Sequence, residues 1–261
     1  MEKFSLEGRV ALITGAGRGI GEGIARLFSK AGAAVALVAR TLDQVEAVAA
    51  DLRAAGGRAI AIGADVTDLA QLPRLVETTA AEFGGLDILV NNAGGEISPT
   101  FLETRPEHLQ AAFHFNAVVP FELSRLAVPH LLERPGASII NMCSDIVGMQ
   151  TRGSLAHHTG KAAEAQLTLS MAADLGPRIR VNAILPTQVE TPKFAEYLRV
   201  KNPDLRETLI QRTRMRRNAT PEDIAYAALY LASPAASWMT GTLFRINGGT
   251  VSEMRPLYPD L

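Results

Sequence analysis

The sequence predicts a single-domain α/β fold of Rossmann-like, doubly wound type: a parallel sheet with helices on both faces. Three observations predict it. Short β-branched runs alternate with Ala/Leu-rich segments of helical period along the whole chain. The strand runs are nearly continuous in apolar residues instead of alternating, as strands covered on both faces require. No linker, repeat, low-complexity tract or composition break divides the 261 residues, so one domain over 1–261 is expected.

Taken in order, the apolar run Val10–Thr14 is the first strand, and the helical period resumes over Gly21–Lys30. Strands Ala34–Ala39 and Ala59–Gly63 follow, each leading to a helix, Thr41–Ala54 and Leu69–Phe83. Ile88–Asn91 is the fourth strand, with a long helix over His108–Leu131. Ser138–Met142 precedes a second long helix, Leu155–Asp174, and Arg180–Leu185 is the sixth strand. A helix over Pro221–Leu231 and a last strand near Thr242–Ile246 close the pattern.

Composition excludes several functions. With 26 basic against 27 acidic side chains, the chain lacks the basic excess that a nucleic-acid or membrane-surface partner demands. A single cysteine, Cys143, forbids an internal disulfide and fits a reducing compartment. No apolar run approaches the roughly 20 residues that span a bilayer, and Met1–Gly8 has no signal-peptide character. A cytoplasmic location and no membrane association are expected. No cluster of metal-ligand spacing is present, so no metal is expected.

In open parallel sheets ligands bind beyond the carboxyl ends of the strands, where strand order reverses. After the first strand comes Gly15-Ala16-Gly17-Arg18-Gly19-Ile20-Gly21, then a helix. Glycines let the backbone approach a pyrophosphate, and the helix N-terminus supplies free N–H groups. The spacing is Gly-x-x-x-Gly-x-Gly, not the commonest dinucleotide fingerprint; a tight βα turn without a ligand is the plain alternative to dinucleotide binding. An NAD site usually carries an acid about 20 residues further on. Here Ala39 and Arg40 occupy that stretch, and no acid precedes Asp43. Arg40 and Arg18 can clamp a 2′-phosphate through charge-assisted bonds, the alternative being two solvated arginines. NADP(H) is therefore expected ahead of NAD(H).

The glycine spacing, Asn91-Asn92-Ala93-Gly94 after the fourth strand, and Ser144 ahead of Lys161 together resemble the short-chain dehydrogenase/reductase family. Asp65-Val66, Asn116, Pro186 followed by Thr191 and Pro192, and the Gly241–Gly249 stretch agree, so the resemblance covers about residues 5–250. It implies an oxidoreductase acting on a secondary alcohol or ketone, and a homo-oligomer, tetramer or dimer, paired through the two long helices. It places Thr14, Gly15, Gly17, Gly19 and Gly21 at the pyrophosphate and Ile20 near the nicotinamide. Asp65 and Val66 fall at the adenine, and Asn91, Asn92, Ala93 and Gly94 at the cofactor floor. Pro186, Val189 and Thr191 fall at the carboxamide. By the same resemblance Ser144 bonds the substrate oxygen, Lys161 binds ribose hydroxyls, and Asn116 holds a water in a proton relay.

The chain departs from this pattern at its centre. The family's general acid is a tyrosine four residues before the lysine and thirteen after the serine, and both counts end on His157. None of the four tyrosines, Tyr197, Tyr226, Tyr230 and Tyr258, fits that register. His157 and Lys161, four apart, share a helix face. A nearby ammonium lowers a phenol usefully from about 10, but pushes an imidazole below its ordinary value of about 6.5. Neutral imidazole is a serviceable base and a poor acid. Three readings stand: a working acid/base with slower or acid-shifted reduction; a cofactor-binding subunit that has lost reductase chemistry; and a proton-transfer enzyme, isomerase, dehydratase or lyase, with a structural cofactor.

Smaller departures accompany it. Thr187 stands where the family usually has glycine, and Asp145 either tunes His157 or bonds local backbone. Cys143 reads as a buried small hydrophobe and His158 as helix surface. A substrate lid is expected at about 190–218, with Phe194 and Leu198 offering an apolar face and Tyr197 within reach as a substitute acid. The basic run through Arg199, Lys201, Arg206, Arg212, Arg214, Arg216 and Arg217 is either a solvated face, its charge partly offset by Glu207, Glu222 and Asp223, or a dock for a CoA phosphate or acidic carrier. The tail, 250–261, either crosses to a neighbouring subunit or lies on the surface.

Overall fold

Residues 2–95, 100–149, 152–201 and 205–250 are described by the structure, a computed structural model. The strands are β1 (Val10–Thr14), β2 (Ala34–Ala39), β3 (Ala59–Gly63), β4 (Ile88–Asn91), β5 (Ala137–Met142), β6 (Ile179–Pro186) and β7 (Leu243–Ile246). They form one parallel sheet in the order β3-β2-β1-β4-β5-β6-β7. Strand order reverses between β1 and β4. The first four strands occupy the predicted residues; β5 and β7 differ by one residue at one end and β6 by one at each end.

The helices are α1 (Gly19–Lys30), α2 (Leu42–Ala54), α3 (Leu72–Phe83), α4 (Pro106–Phe113), α5 (Val119–Leu132), α6 (Leu155–Leu175), α7 (Pro192–Lys201), α8 (Leu205–Arg212) and α9 (Pro221–Ala232). Period-2 geometry sends alternate strand side chains to opposite layers. Ala11 and Ile13 of β1 join Ile24, Phe28, Val45 and Leu229 on one face, while Val10 and Leu12 join Leu75, Leu123, Leu131 and Met171 on the other. Burial on both faces is why the strands carry no polar alternation.

Two predicted helices differ: Leu69–Phe83 opens as a 3-10 turn, Leu69–Gln71, before α3. His108–Leu131 is not continuous: α4 and α5 are joined by a π-helical turn, His114–Val118, centred on Asn116. Pro120 has no N–H to give the Asn116 carbonyl, so the regular ladder cannot run through this point and the turn widens. No helix among the described residues is long and apolar enough to cross a membrane.

Candidate functional site

The glycine loop and the β4 end are fastened together at the switch point. Thr14 Oγ1 accepts from the backbone N–H of both Asn92 and Ala93 at 3.0 Å. The Asn92 amide donates to the carbonyls of Thr14 at 2.9 Å and Gly15 at 3.2 Å. Gly15 has φ +66°, and a Cβ there would lie 2.8 Å from Asn92 Nδ2. A Cβ on Gly21 would overlap the Gly15 carbonyl oxygen. Gly21→Ala is therefore expected to destabilise the fold by about 1–3 kcal/mol through overpacking, read by thermal or urea denaturation; unchanged stability would contradict this packing.

The other predicted binding residues surround this cradle. A Cβ on Gly19 would meet the Thr191 methyl at 3.1 Å, so the loop after β6 closes over the N-terminus of α1. Thr191 Oγ1 accepts from Phe194 N–H at 3.2 Å, capping α7. Arg18 and Arg40 are exposed, and the Asp65 carboxyl, lowered chiefly by its bonds from Thr67, also feels the Arg40 charge. Asn91 turns away from the cleft: its Nδ2 donates to Asn141 Oδ1 at 2.9 Å and Ser124 Oγ at 3.1 Å in the buried layer.

Beside the cradle, the end of β5 and the first turns of α6 meet the π turn. Lys161 is buried, and its Nζ donates to the Met142 carbonyl at 2.8 Å and to Glu164 Oε2 at 2.6 Å. The Cys143 thiol donates to the Lys161 carbonyl at 3.2 Å, and burial pushes it up to about 12, so it is inert. Asn116 Oδ1 accepts from Gly95 N–H at 3.0 Å, and its Nδ2 donates to the Ala112 carbonyl at 2.8 Å. A Cβ on Gly94 would lie 2.9 Å from Lys161 Nζ and 3.2 Å from Asn116 Oδ1, so Gly94 forms the wall that these two groups share. Ser144 follows β5 directly and is half-buried, its Oγ 3.4 Å from Ile146 N–H.

His157 stands one turn before Lys161, also half-buried. Burial first, then the charges of Lys161, His158 and Lys193, push its imidazole down to about 4, so it is neutral at pH 7. Glu164 is fully enclosed, and burial pushes its carboxyl up to about 7 against the pull of Lys161. This cluster can pass a proton at His157 and hold an oxygen atom near Ser144, with a paired ammonium behind.

A family model described as enoyl-(acyl carrier protein) reductase matches residues 15–251. The chain belongs to the short-chain dehydrogenase/reductase family, a family of oxidoreductases. Among its relatives, an uncharacterised oxidoreductase of Mycobacterium tuberculosis is 42% identical, covering 100% of this chain and 99% of its own. The 7α-hydroxysteroid dehydrogenase of Escherichia coli K12 is 35% identical, covering 97% of this chain and 98% of its own. A solved 7α-hydroxysteroid dehydrogenase in complex with NADH and 7-oxo glycochenodeoxycholic acid superposes with a TM-score of 0.91 at 35% identity, covering 97% of this chain and 98% of its own.

Several details of this dehydrogenase/reductase differ from the sequence-based expectations. Asp145 neither tunes His157 nor bonds only local backbone. Its buried carboxylate takes Arg245 of β7 in an ion pair and Asn247 Nδ2 at 2.7 Å, fastening the β5 end to β7. Two members of the basic run pair with acids of the same chain while staying largely exposed, Arg206 with Glu190 at 2.8 Å and Arg217 with Asp223 at 2.6 Å, in keeping with a solvated face. The segment 190–218 folds as α7 and α8, with Leu198 packed inward and Phe194 half-buried. The side chain of Tyr197 and the tail 251–261, with Tyr258, lie outside the described residues.

Two residues escaped the sequence reading. Lys193, in the first turn of α7, brings its Nζ to 3.3 Å from a Cβ position on Gly95 and acts on His157. Glu164 was detectable, since i and i+3 on a helix are neighbours and Lys161 was already singled out.

Proposed function

We propose that this chain interconverts a secondary alcohol and a ketone with NADP(H), His157 serving as proton donor and acceptor where the family places a tyrosine. The observation that carries this reading is the meeting of Lys161 and Asn116 at Gly94 beside the glycine cradle at the sheet's switch point, with Ser144 just after β5 and His157 one turn before Lys161. A nicotinamide dinucleotide fits the cradle: Asn92 and the Gly15 carbonyl occupy the space a Cβ would take at Gly15 and Gly21, so the turn is drawn tight against the N-terminus of α1, whose free N–H groups suit a pyrophosphate. When bound, the nicotinamide accepts or supplies the hydride.

Thr14, Gly15, Gly17, Gly19 and Gly21 would hold the pyrophosphate, with Arg18 and Arg40 at a 2′-phosphate. Asp65 and Val66 would face the adenine; Ile20, Asn92, Ala93, Gly94, Pro186, Val189 and Thr191 would frame the nicotinamide end. Ser144 positions the substrate oxygen by a hydrogen bond, and Lys161 directs its remaining N–H to the ribose. Neutral His157 takes the hydroxyl proton in alcohol oxidation and donates only from its scarce protonated form in reduction. Asn116, at the widened turn where its carbonyl lacks the Pro120 donor, supplies a water-binding oxygen for the proton's route outward.

Residues 190–218 serve in this reading as the substrate lid, with 250–261 as a tail at its margin. The relatives' substrates point to hydrophobic ketones, oxo-steroids and 3-oxoacyl thioesters, as the first to assay by NADPH oxidation. No turnover on any ketone or alcohol with either cofactor would contradict the reading. Charge-assisted bonds to a phosphate contribute about 1.5–3 kcal/mol each. Arg40→Ser is thus expected to weaken NADPH binding by roughly 10- to 100-fold while sparing NADH. Titration of intrinsic or cofactor fluorescence checks this, and equal effects on both cofactors would remove the NADP(H) assignment. Assembly as a homo-oligomer through the α4–α5 face is supported by the exposure of Leu109, Phe113 and Phe121 there.

A further inference from the structure

We propose that Glu164 is a positioning residue of this site: its carboxylate holds the Lys161 ammonium against the β5 end and, as it ionises, offsets part of that charge toward His157 and the cofactor cleft. The proposal rests on the reading of His157 as the proton-transferring group.

Helix register places Glu164 one turn beyond Lys161 on the same face of α6. Both side chains are buried, 2% and 5% exposed, with Oε2 2.6 Å from Nζ. A second set of bonds fixes this turn: Thr168 Oγ1 donates to the Glu164 carbonyl at 2.9 Å and accepts from Asn141 Nδ2 of β5 at 2.9 Å. Nζ is thereby directed to the Met142 carbonyl and Glu164, with one proton left for the cleft under Gly94. Stability gives little reason for the pair, because apolar residues in its place would hold the fold as well or better.

Charge gives a reason. A bare ammonium beside a phenol favours the phenolate and so helps proton transfer near neutral pH. Beside an imidazole the same ammonium drives the proton off and disables the acid. A site that carries His157 next to Lys161 is relieved by a negative charge on the far side of the lysine, and Glu164 is placed to supply it.

The groups facing this cluster are few. His157 faces Lys161 and His158 of α6 and Lys193 of α7; Glu164 faces Lys161 and Cys143. On the elements packed against α6, His108 bonds Arg105 N–H, His114 the Thr67 carbonyl and Arg180 the Leu231 carbonyl, while Glu107 of α4 is exposed.

The test is a proton titration of the His157 ring by 13Cε1 NMR in the full-length, cofactor-free protein, for wild type and Glu164→Gln. Glutamine keeps a hydrogen-bond acceptor and removes the charge; circular dichroism checks the fold. Coupled groups titrate as a pair, so the wild-type ring signal is expected to move again in the neutral range as Glu164 ionises, and Glu164→Gln to lose that step. Superimposable curves from pH 4 to 9 would overturn the proposal. As a second readout, NADPH binding to wild type is expected to weaken by roughly tenfold more than binding to Glu164→Gln between pH 6 and 8, as part of the ammonium's charge is offset. Parallel dependences would count against the proposal, and this readout serves alone if the ring signal is broadened. His157→Phe separates the two claims: full activity in that variant would end the catalytic reading of His157, while the Glu164 titration would stand or fall independently.

Discussion

Lys161→Met is expected to lose about 3–5 kcal/mol of stability at pH 8, because it strands the Glu164 carboxylate in a dry wall. The deficit shrinks at pH 6. Burial already holds the folded-state carboxyl above its unfolded value, so ionising Glu164 opposes folding as pH rises. Removing the ammonium raises that carboxyl further, and the gap between variant and wild type opens through the neutral range. Urea titrations at the two pH values measure this; equal deficits, or none, would mean the pair is solvated. The double variant Lys161→Met, Glu164→Leu is expected to regain most of the stability but not dinucleotide affinity, separating the fold's need for the pair from the site's need for the lysine.

His157→Phe is expected to lower kcat by roughly 10²- to 10⁴-fold, the usual share of a positioned acid/base, with dinucleotide affinity nearly unchanged. A phenyl ring fills the half-buried space without a transferable proton. A drop of less than about threefold would assign the proton to another group.

The strands were legible because burial on both faces writes itself as unbroken apolar runs such as Ala34–Ala39. The glycine loop was legible because Gly15 and Gly21 sit where side chains collide with backbone or Asn92. His157 was legible from the family resemblance, which sets the acid four residues before Lys161, a spacing that puts both side chains on one face of α6. What stayed hidden depends on distant partners. The Asp145 carboxylate finds Arg245, 100 residues away, and only the path of β7 brings that cation to it. Lys193 reaches His157 because Thr191 caps α7 against Gly19, a turn of the chain that no local period encodes. The π turn lies between these cases: Pro120 marked a ladder fault, but a kink, break or bulge all answer that signal.

The pH dependence of turnover in both directions, for one ketone–alcohol pair between pH 5 and 8, tests the role of His157 most directly. With the imidazole held down to about 4, alcohol oxidation by neutral His157 is expected to be flat across this range. Ketone reduction, which needs the protonated ring, is expected to fall roughly tenfold per pH unit, which with a flat oxidation rate accounts for the one proton taken up in the reaction. A reduction rate independent of pH from 5 to 8 would contradict the account and place the proton donor on a group other than His157.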